Sequence, residues 1–306
     1  MSAPDPADAF DEAAEQVQRL AVLLEAGVAP VSAWRHVGEE AASGPSFEVA
    51  TAAPRPDDLV ERITGAARAR AGPLGEAWGA VALAWRVAAV AGAPLAPTLA
   101  ELADVLRDLG ESSREVAIAL AGPRATARIV LALPAVGLGF GLLLGVDVVG
   151  TLFATLPGAI CLLLGAALVV AGWRWNSALL RRAREVDPAA GLELDLLAIA
   201  LAGGSAPERA TAVVDEALLE HGRAALGATA TRHLDFARRA GVPVAALLRA
   251  ESRAERRRAR AAARIRAARL GTQLLLPLGA CLLPAFVLLG VVPLLLGILD
   301  DALSGF

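Results

Sequence analysis

The sequence predicts an all-α membrane protein with two helical-bundle cytoplasmic domains, related by duplication, and three transmembrane helices. Three observations carry this. The stretches Ile129–Val146, Val148–Trp173 and Leu274–Leu299 are long, apolar and free of basic residues. All 29 basic residues are Arg, and every one falls in residues 1–128 or 174–270. Outside the apolar stretches, apolar residues recur at helical spacing and no alternating β pattern occurs.

The three stretches are long enough to span. At about 1.5 Å of rise per residue, the first, of 18 residues, reaches about 27 Å, and the third, of 26, about 39 Å, against a hydrocarbon core of about 30 Å. Asp147 separates the first two. A carboxylate at the centre of a spanning helix costs roughly 3 kcal/mol on insertion scales, so Val146–Gly150 reads as a tight turn between antiparallel helices, flanked by Gly145 and Gly150. The competing reading makes Asp147 an intramembrane acid on an ion path. With the proline-interrupted spans (Pro134, Pro157, Pro277, Pro284, Pro293), that reading describes a small permease-like transporter.

Arginine placement sets orientation. Arg124 and Arg128 precede the first span, Arg174, Arg181, Arg182 and Arg184 follow the second, and Arg264, Arg266 and Arg269 precede the third. The turn at Asp147 and the tail Asp300–Phe306 carry none. The positive-inside rule therefore places both polar segments in the cytoplasm and the C-terminus outside. The expected organisation is cytoplasmic helical domain 1 at 1–127 and a transmembrane hairpin at 128–173. Cytoplasmic helical domain 2 follows at 174–270, then transmembrane helix 3 at 271–299 and an extracytoplasmic tail at 300–306. Residues 39–58, rich in Ala, Ser, Pro and acids, read as a mobile insertion. The N-terminus shows neither a basic n-region nor an apolar h-region, so no cleavable signal is expected. Cys161 and Cys281 lie within spans and read as small apolar packers.

The polar segments carry helix faces at Val17, Leu20, Ala21 and Leu24, at Leu99, Leu102, Ala103 and Leu106, and at Leu194, Leu197, Ala198 and Leu201. They also repeat. Leu20–Gly27 leads to Pro30 and a second helix, as Leu196–Gly203 leads to Pro207. Ala91-Gly92-Ala93-Pro94, with Leu99 beyond, answers Ala240-Gly241-Val242-Pro243, with Leu248 beyond. Each half then enters a span through Leu133-Pro134 or Leu276-Pro277. Matching order of these elements points to duplication. Gly27, Gly92, Pro94, Gly203, Gly241 and Pro243 are the expected structural turns.

Charge divides the halves. Residues 1–128 carry 11 Arg against 18 acids, a net of −7, and residues 174–270 carry 18 Arg against 11, a net of +7. Complementary fields predict that one half docks on the other, within a chain or between neighbours. The Arg-rich run Ser252–Arg269 lacks base-stacking aromatics, which argues against nucleic acid. It reads as a solvated face whose inner end meets anionic lipid headgroups, compatible with a partner surface. Arg256, Arg260 and Arg264, at i+4 spacing, are the candidate partner-binding residues. In the first span Gly137, Gly141 and Gly145 form a small-residue row suited to helix packing.

Nothing in the chain suggests catalysis. His36, His221 and His233 are isolated from Cys and from paired acids. The chain has no Lys, which removes the P-loop. No nucleophile elbow or metal-ligand cluster is present. No catalytic residue, metal or cofactor is expected.

The third span, Leu274–Pro293 with its three prolines, resembles the last helix of the type II secretion system F family (GspF-like), in particular its TadB/TadC branch from Tad (Flp-type) pilus assembly. The helix ending in Ala202-Gly203 and the Ala240–Pro243 turn resemble that family's helical domain. The resemblance is fullest over 190–299 and looser in the first half, at Ala26-Gly27 and Gly92–Pro94. It implies an inner-membrane platform protein between a hexameric secretion ATPase and pilin subunits, paired with itself or with a homologous platform protein. Larger members often place Glu shortly before the turn glycine. Val90 and Arg239 stand near those positions here, so no acid-dependent role transfers.

Overall fold

The computed structural model describes residues 6–41, 43–52, 55, 58–122, 125, 126, 129, 132, 136, 139, 156–184, 190–293 and 295. Among them the chain is α-helical and contains no strand. Eleven helices of eight residues or more are present: α1 (Pro6–Glu25), α2 (Pro30–Ala41), α3 (Pro45–Ala52), α4 (Leu59–Arg68), α5 (Gly72–Ala91), α6 (Leu95–Ala119), α7 (Leu156–Arg184), α8 (Leu192–Ala202), α9 (Pro207–Glu220), α10 (Ala228–Ala240) and α11 (Val244–Gln273). They form two compact units, one of Met1–Arg114 with Val186–Ala261 and one of Glu115–Glu185 with Ala262–Phe306.

The first unit contains helices of both charge-divided halves around one core. The reason lies in α8, whose Leu192, Leu194 and Leu196 through Ala200 are all buried. A helix that is apolar nearly all round, with acids only in its first turn, has little face for water and must be largely enclosed. Both α5 and α9 pack on it. Helix α5 is similarly enclosed, with Trp78, Val81, Leu83, Trp85 and Val87 buried. The continuous core accordingly runs from Phe10, Val17 and Leu20 through Trp34 and Trp78 to Leu197, Val214, Leu218 and Leu248. Trp34 anchors its first-half end, with tilted ring contacts to Trp78 at 5.9 Å and Trp85 at 5.6 Å, a geometry favoured by the ring quadrupoles. The two halves thus meet within one chain, through apolar packing as well as charge.

Residues 39–58, where composition predicts a mobile insertion, include the end of α2 and the whole of α3. Two devices dock α3. Gly38 has no side chain where a Cβ would run into Ala50 and the Ser46 carbonyl, and the buried Ser46 hydroxyl donates to Gln16 at 2.7 Å. Arg70 adds a two-pronged ion pair to Glu48, at 2.7 and 2.9 Å. A composition poor in periodic apolar residues concealed a short helix held by a close backbone approach and polar contacts.

The second unit is built on a helix pair. Gly158, Gly165 and Gly172, seven residues apart on α7, are all buried. A Cβ at Gly165 would lie 2.5 Å from Leu289, and one at Gly172 would lie 2.6 Å from Leu282. Leu282 and Leu289 are also seven apart, so leucine knobs of the final apolar run seat over glycines of α7, as small residues permit between spanning helices. The opposite faces are bare: Leu156 is 79 % exposed, Leu163 71 % and Leu283 62 %. Such bands of large apolar side chains suit a lipid solvent.

After α11 the helical path runs through Leu275–Pro277 and Leu283–Phe286, with π-helical turns at Leu278–Leu282 and Val287–Val291. Pro284 offers no N–H and its ring crowds the carbonyl four residues back, and a widened turn relieves both. The prolines at 277 and 284 therefore reshape this helix without breaking it.

Three helical stretches are long and apolar enough to cross a membrane: Gly72–Ala91, Leu156–Leu180 and Val244–Val291. The first, α5, meets the criterion by composition yet is the central helix of the first unit's core. Ile129 and Val136 of the expected first span are helical and exposed. Most of that span, including Gly137, Gly141, Gly145 and the Asp147 turn, lies outside the described residues. The chain is an all-α membrane protein.

Candidate functional site

The Arg-rich helix α11 and the acids facing it define the main charged feature of the first unit. Gly191 starts the assembly. It holds a left-handed φ of 77°, and any Cβ there would meet the Ser252 backbone at 2.6 Å. This close approach brings the first turn of α8 against α11, placing the Asp195 carboxylate on Ser252 and Arg256. Both donate to it, the hydroxyl to Oδ1 and the guanidinium to Oδ2. Asp195 also gains from its place at the helix N-terminus. Arg256 is 9 % exposed and Ser252 fully buried, so this ion pair is an internal one.

Around it lie more exposed pairs. Arg249 Nε donates to Glu101 at 2.9 Å, and Arg260 pairs with Asp108 at 2.8 Å. Arg249, Glu101 and Asp108 line a groove of about 230 Å³ together with Leu102, Val105, Leu196 and Ile199. Within the second unit, Arg264 Nε donates to Glu115 at 2.8 Å. The three arginines singled out by i+4 spacing thus differ. Arg256 is locked to Asp195, Arg260 is half-buried on Asp108, and Arg264, paired with Glu115, keeps 58 % of its side chain exposed. Arg257 and Arg258, off the stripe, are exposed.

A second polar feature sits where α3, α4, α5 and α9 converge, a cleft of about 780 Å³ lined by Glu48, Arg62, Arg68, Arg86, Glu220 and His221 among others. Arg86 holds the Glu220 carboxylate with both terminal nitrogens, one at 2.6 Å, and Arg68 donates to the Glu220 carbonyl at 2.8 Å. His221 Nε2 stands 3.5 Å from the Thr64 hydroxyl, and its Nδ1 lies 2.9 Å from the Ala217 carbonyl. Burial, aided by the nearby Arg68 and Arg86 charges, pushes the His221 pKa below its ordinary value, against the Ala217 hydrogen bond and Glu220. Sequence spacing gave no sign of this convergence, since Arg86 and Glu220 are 134 positions apart.

The turn residues show the repeat in detail. Gly92 ends α5 at φ 70°, ψ 25°, and Gly241 ends α10 at φ 67°, ψ 25°, each donating to the carbonyl four residues back. Pro94 and Pro243 follow, and their carbonyls accept from the backbone N–H of Thr98 and Leu247. Gly27 is left-handed at φ 84°. Its counterpart by conformation is Gly204, at φ 80°, whereas Gly203 has φ −73°. Gly203 is instead a close approach, since a Cβ there would strike the Ala91 carbonyl. One signal could have revealed this, because Gly27 precedes Pro30 by the same interval as Gly204 precedes Pro207.

Among the described residues no group of three or more His, Cys, Asp and Glu could hold a metal ion. What the arrangement offers is charge and shape on an enclosed helical body, with apolar helices fit for a bilayer. That describes a helical membrane protein with charged and apolar surfaces. Residues 17–143 match the family model described as type II secretion system (T2SS), protein F, so this segment carries the F-type domain and supports the type II secretion system F family for the chain. The match covers most of the first half and most of the expected first span, where the sequence resemblance is looser, and does not reach 190–299, where it is fullest. No curated protein and no solved structure matches the chain. Family domain and apolar helices together fit a multi-pass inner-membrane protein of a secretion or pilus-assembly system.

Proposed function

We propose that this protein is the inner-membrane platform of a type II secretion or Tad/Flp-type pilus machine, coupling a cytoplasmic hexameric ATPase to assembly of pilin subunits. The observation that carries the reading is the F-type domain at 17–143, most of it within a helical body that shares one core with the second half. A body with one core moves as a piece, because close-packed interiors deform little. Force applied anywhere on the first unit is therefore shared by both halves. Both halves lie in the cytoplasm, as arginine placement requires, and the C-terminus lies outside. Helix α11, 30 residues long, is followed in sequence by the final apolar run. The protein itself carries out no chemistry, and its partners are the ATPase, pilins and a second platform copy or homologue.

The ATPase-facing surface lies along the exposed side of α11 in the first unit, at Arg257 and Arg258. Isolation of the tagged full-length protein from cross-linked membranes of its own cells tests the reading. Co-isolation of a hexameric ATPase and a small pilin is expected. Recovery of the membrane-embedded protein with neither would overturn it.

A further inference from the structure

The second unit contains a groove of about 480 Å³ where the Trp175 end of α7 meets the end of α11, a size suited to a small ligand group. Its lining is divided chemically. Arg266, Arg269 and Gln273 supply nitrogen donors, while Trp175, Leu179 and Leu276 supply apolar surface. The location is equally specific. On α11 the arginines stop at 269, and uncharged chain begins at Leu270. On α7 the uncharged stretch ends at Trp173, with Trp175 45 % exposed. The groove therefore straddles the level at which two apolar helices leave the hydrocarbon.

Among the described residues of the second unit there is one carboxylate, Glu115, and Arg264 already pairs with it. Arg269 makes no ion pair within these residues. Arg269 thus has a guanidinium to offer at a depth where phosphate groups of lipids reside.

We propose that this groove binds the headgroup of an anionic phospholipid. Arg269, with Arg266 beside it, takes the phosphate, Gln273 donates its side-chain amide to headgroup oxygens, and Trp175, Leu179 and Leu276 sheathe the first methylenes of an acyl chain. Guanidinium matches phosphate geometry, and an indole fits the boundary between polar and apolar layers. A bound lipid would fill the space between two spans and fix their spacing where force passes between helix and bilayer. The inference rests on reading α7 and the final run as membrane spans and does not require the platform role.

The test uses the full chain in nanodiscs of phosphatidylcholine containing a minor fraction of phosphatidylglycerol, with one lipid or the other brominated near the headgroup. Incorporation into the disc tests the spans, and tryptophan quenching tests the site. Stronger quenching by brominated phosphatidylglycerol than by the brominated choline lipid at equal mole fraction is expected, and Trp175→Phe should abolish the difference. Each arginine near the headgroups contributes about five-fold to lipid affinity, so Arg269→Gln should weaken the preference by about that factor, whereas Arg239→Gln should not. Millimolar inorganic phosphate should leave the preference intact. Equal quenching by the two lipids in an incorporated protein would overturn the proposal. So would a preference that survives Trp175→Phe, or one erased by free phosphate, which marks a soluble-anion site. Because the wild-type comparison alone decides the first outcome, a variant that fails to fold leaves the proposal exposed to refutation.

Discussion

Arg86 and Glu220 form the principal polar clasp between the two halves of the chain. The guanidinium on α5 grips the carboxylate at the end of α9 with two nitrogens, and Arg68 takes the Glu220 carbonyl as well. Glu220 is about half exposed, so the charge pair contributes modestly, about 1 kcal/mol. Glu220→Gln should lower the unfolding free energy obtained from denaturant titration by that amount. A double-mutant cycle with Arg86→Gln should return a coupling energy that shrinks in high salt, and a salt-independent coupling would show that packing dominates.

The His221 imidazole faces Arg68, Arg86 and Glu220 in that clasp, and its pKa lies below the ordinary 6.5. For a base with a depressed folded-state pKa, the unfolded chain protonates first as pH falls. Stability is thus fully present above about 6.5 and declines below it until the folded value is reached. Unfolding midpoints measured from pH 7.5 to 5 should fall, and His221→Gln should flatten the slope. An unchanged slope in the variant would assign the pH dependence elsewhere.

Asp195 holds a buried pair with Arg256 and accepts from Ser252. Removing one partner of such a pair leaves an uncompensated charge, which costs about 3–5 kcal/mol. Asp195→Ala and Arg256→Glu should each lower stability by that order. Arg257→Glu, on an exposed position, should leave stability within about 0.5 kcal/mol. A loss of ATPase capture in Arg256→Glu accompanied by lost stability would then reflect folding, while the same loss in Arg257→Glu would report contact.

Gly203 and Gly204 are adjacent but bear different constraints. Gly203→Ala places a methyl against the Ala91 carbonyl, a rigid neighbour, and should destabilise the first unit by about 1–3 kcal/mol. Gly204→Ala meets nothing but must hold φ 80°, costing about 1 kcal/mol. Thermal unfolding of both variants distinguishes steric from conformational cost by the larger loss at Gly203.

In the second unit, Gly165→Ile and Gly172→Ile should force apart α7 and the final apolar run, where Leu289 and Leu282 occupy the space. Disulfide formation between cysteines placed along the two helices would report the spacing. Cross-linking as efficient as in the parent would contradict the knob-over-glycine packing.

Helix class and the apolar stretches were legible because period and hydropathy are written locally. Val17, Leu20, Leu197 and Leu248 all lie in the core that periodicity implies. What sequence left hidden depends on contacts between distant residues. Helical spacing put Arg256 on an outward stripe, but the close approach of Gly191 to Ser252 turns that arginine inward to Asp195. The heptad of Gly158, Gly165 and Gly172 was hidden because the leucines over Gly165 and Gly172 lie over 100 residues away in sequence. The single core of the first unit was likewise concealed, because a helix buried nearly all round, as α8 is, does not declare what encloses it.

In the proposed platform both halves form one helical body, held on the cytoplasmic side of a membrane. Single cysteines introduced at the exposed Thr51 and Ala224, with Cys161 and Cys281 replaced by Ala, test it most directly. In intact cells a membrane-impermeant maleimide should label neither position, and both should react once the cells are opened. Labelling of either one before lysis would contradict the account.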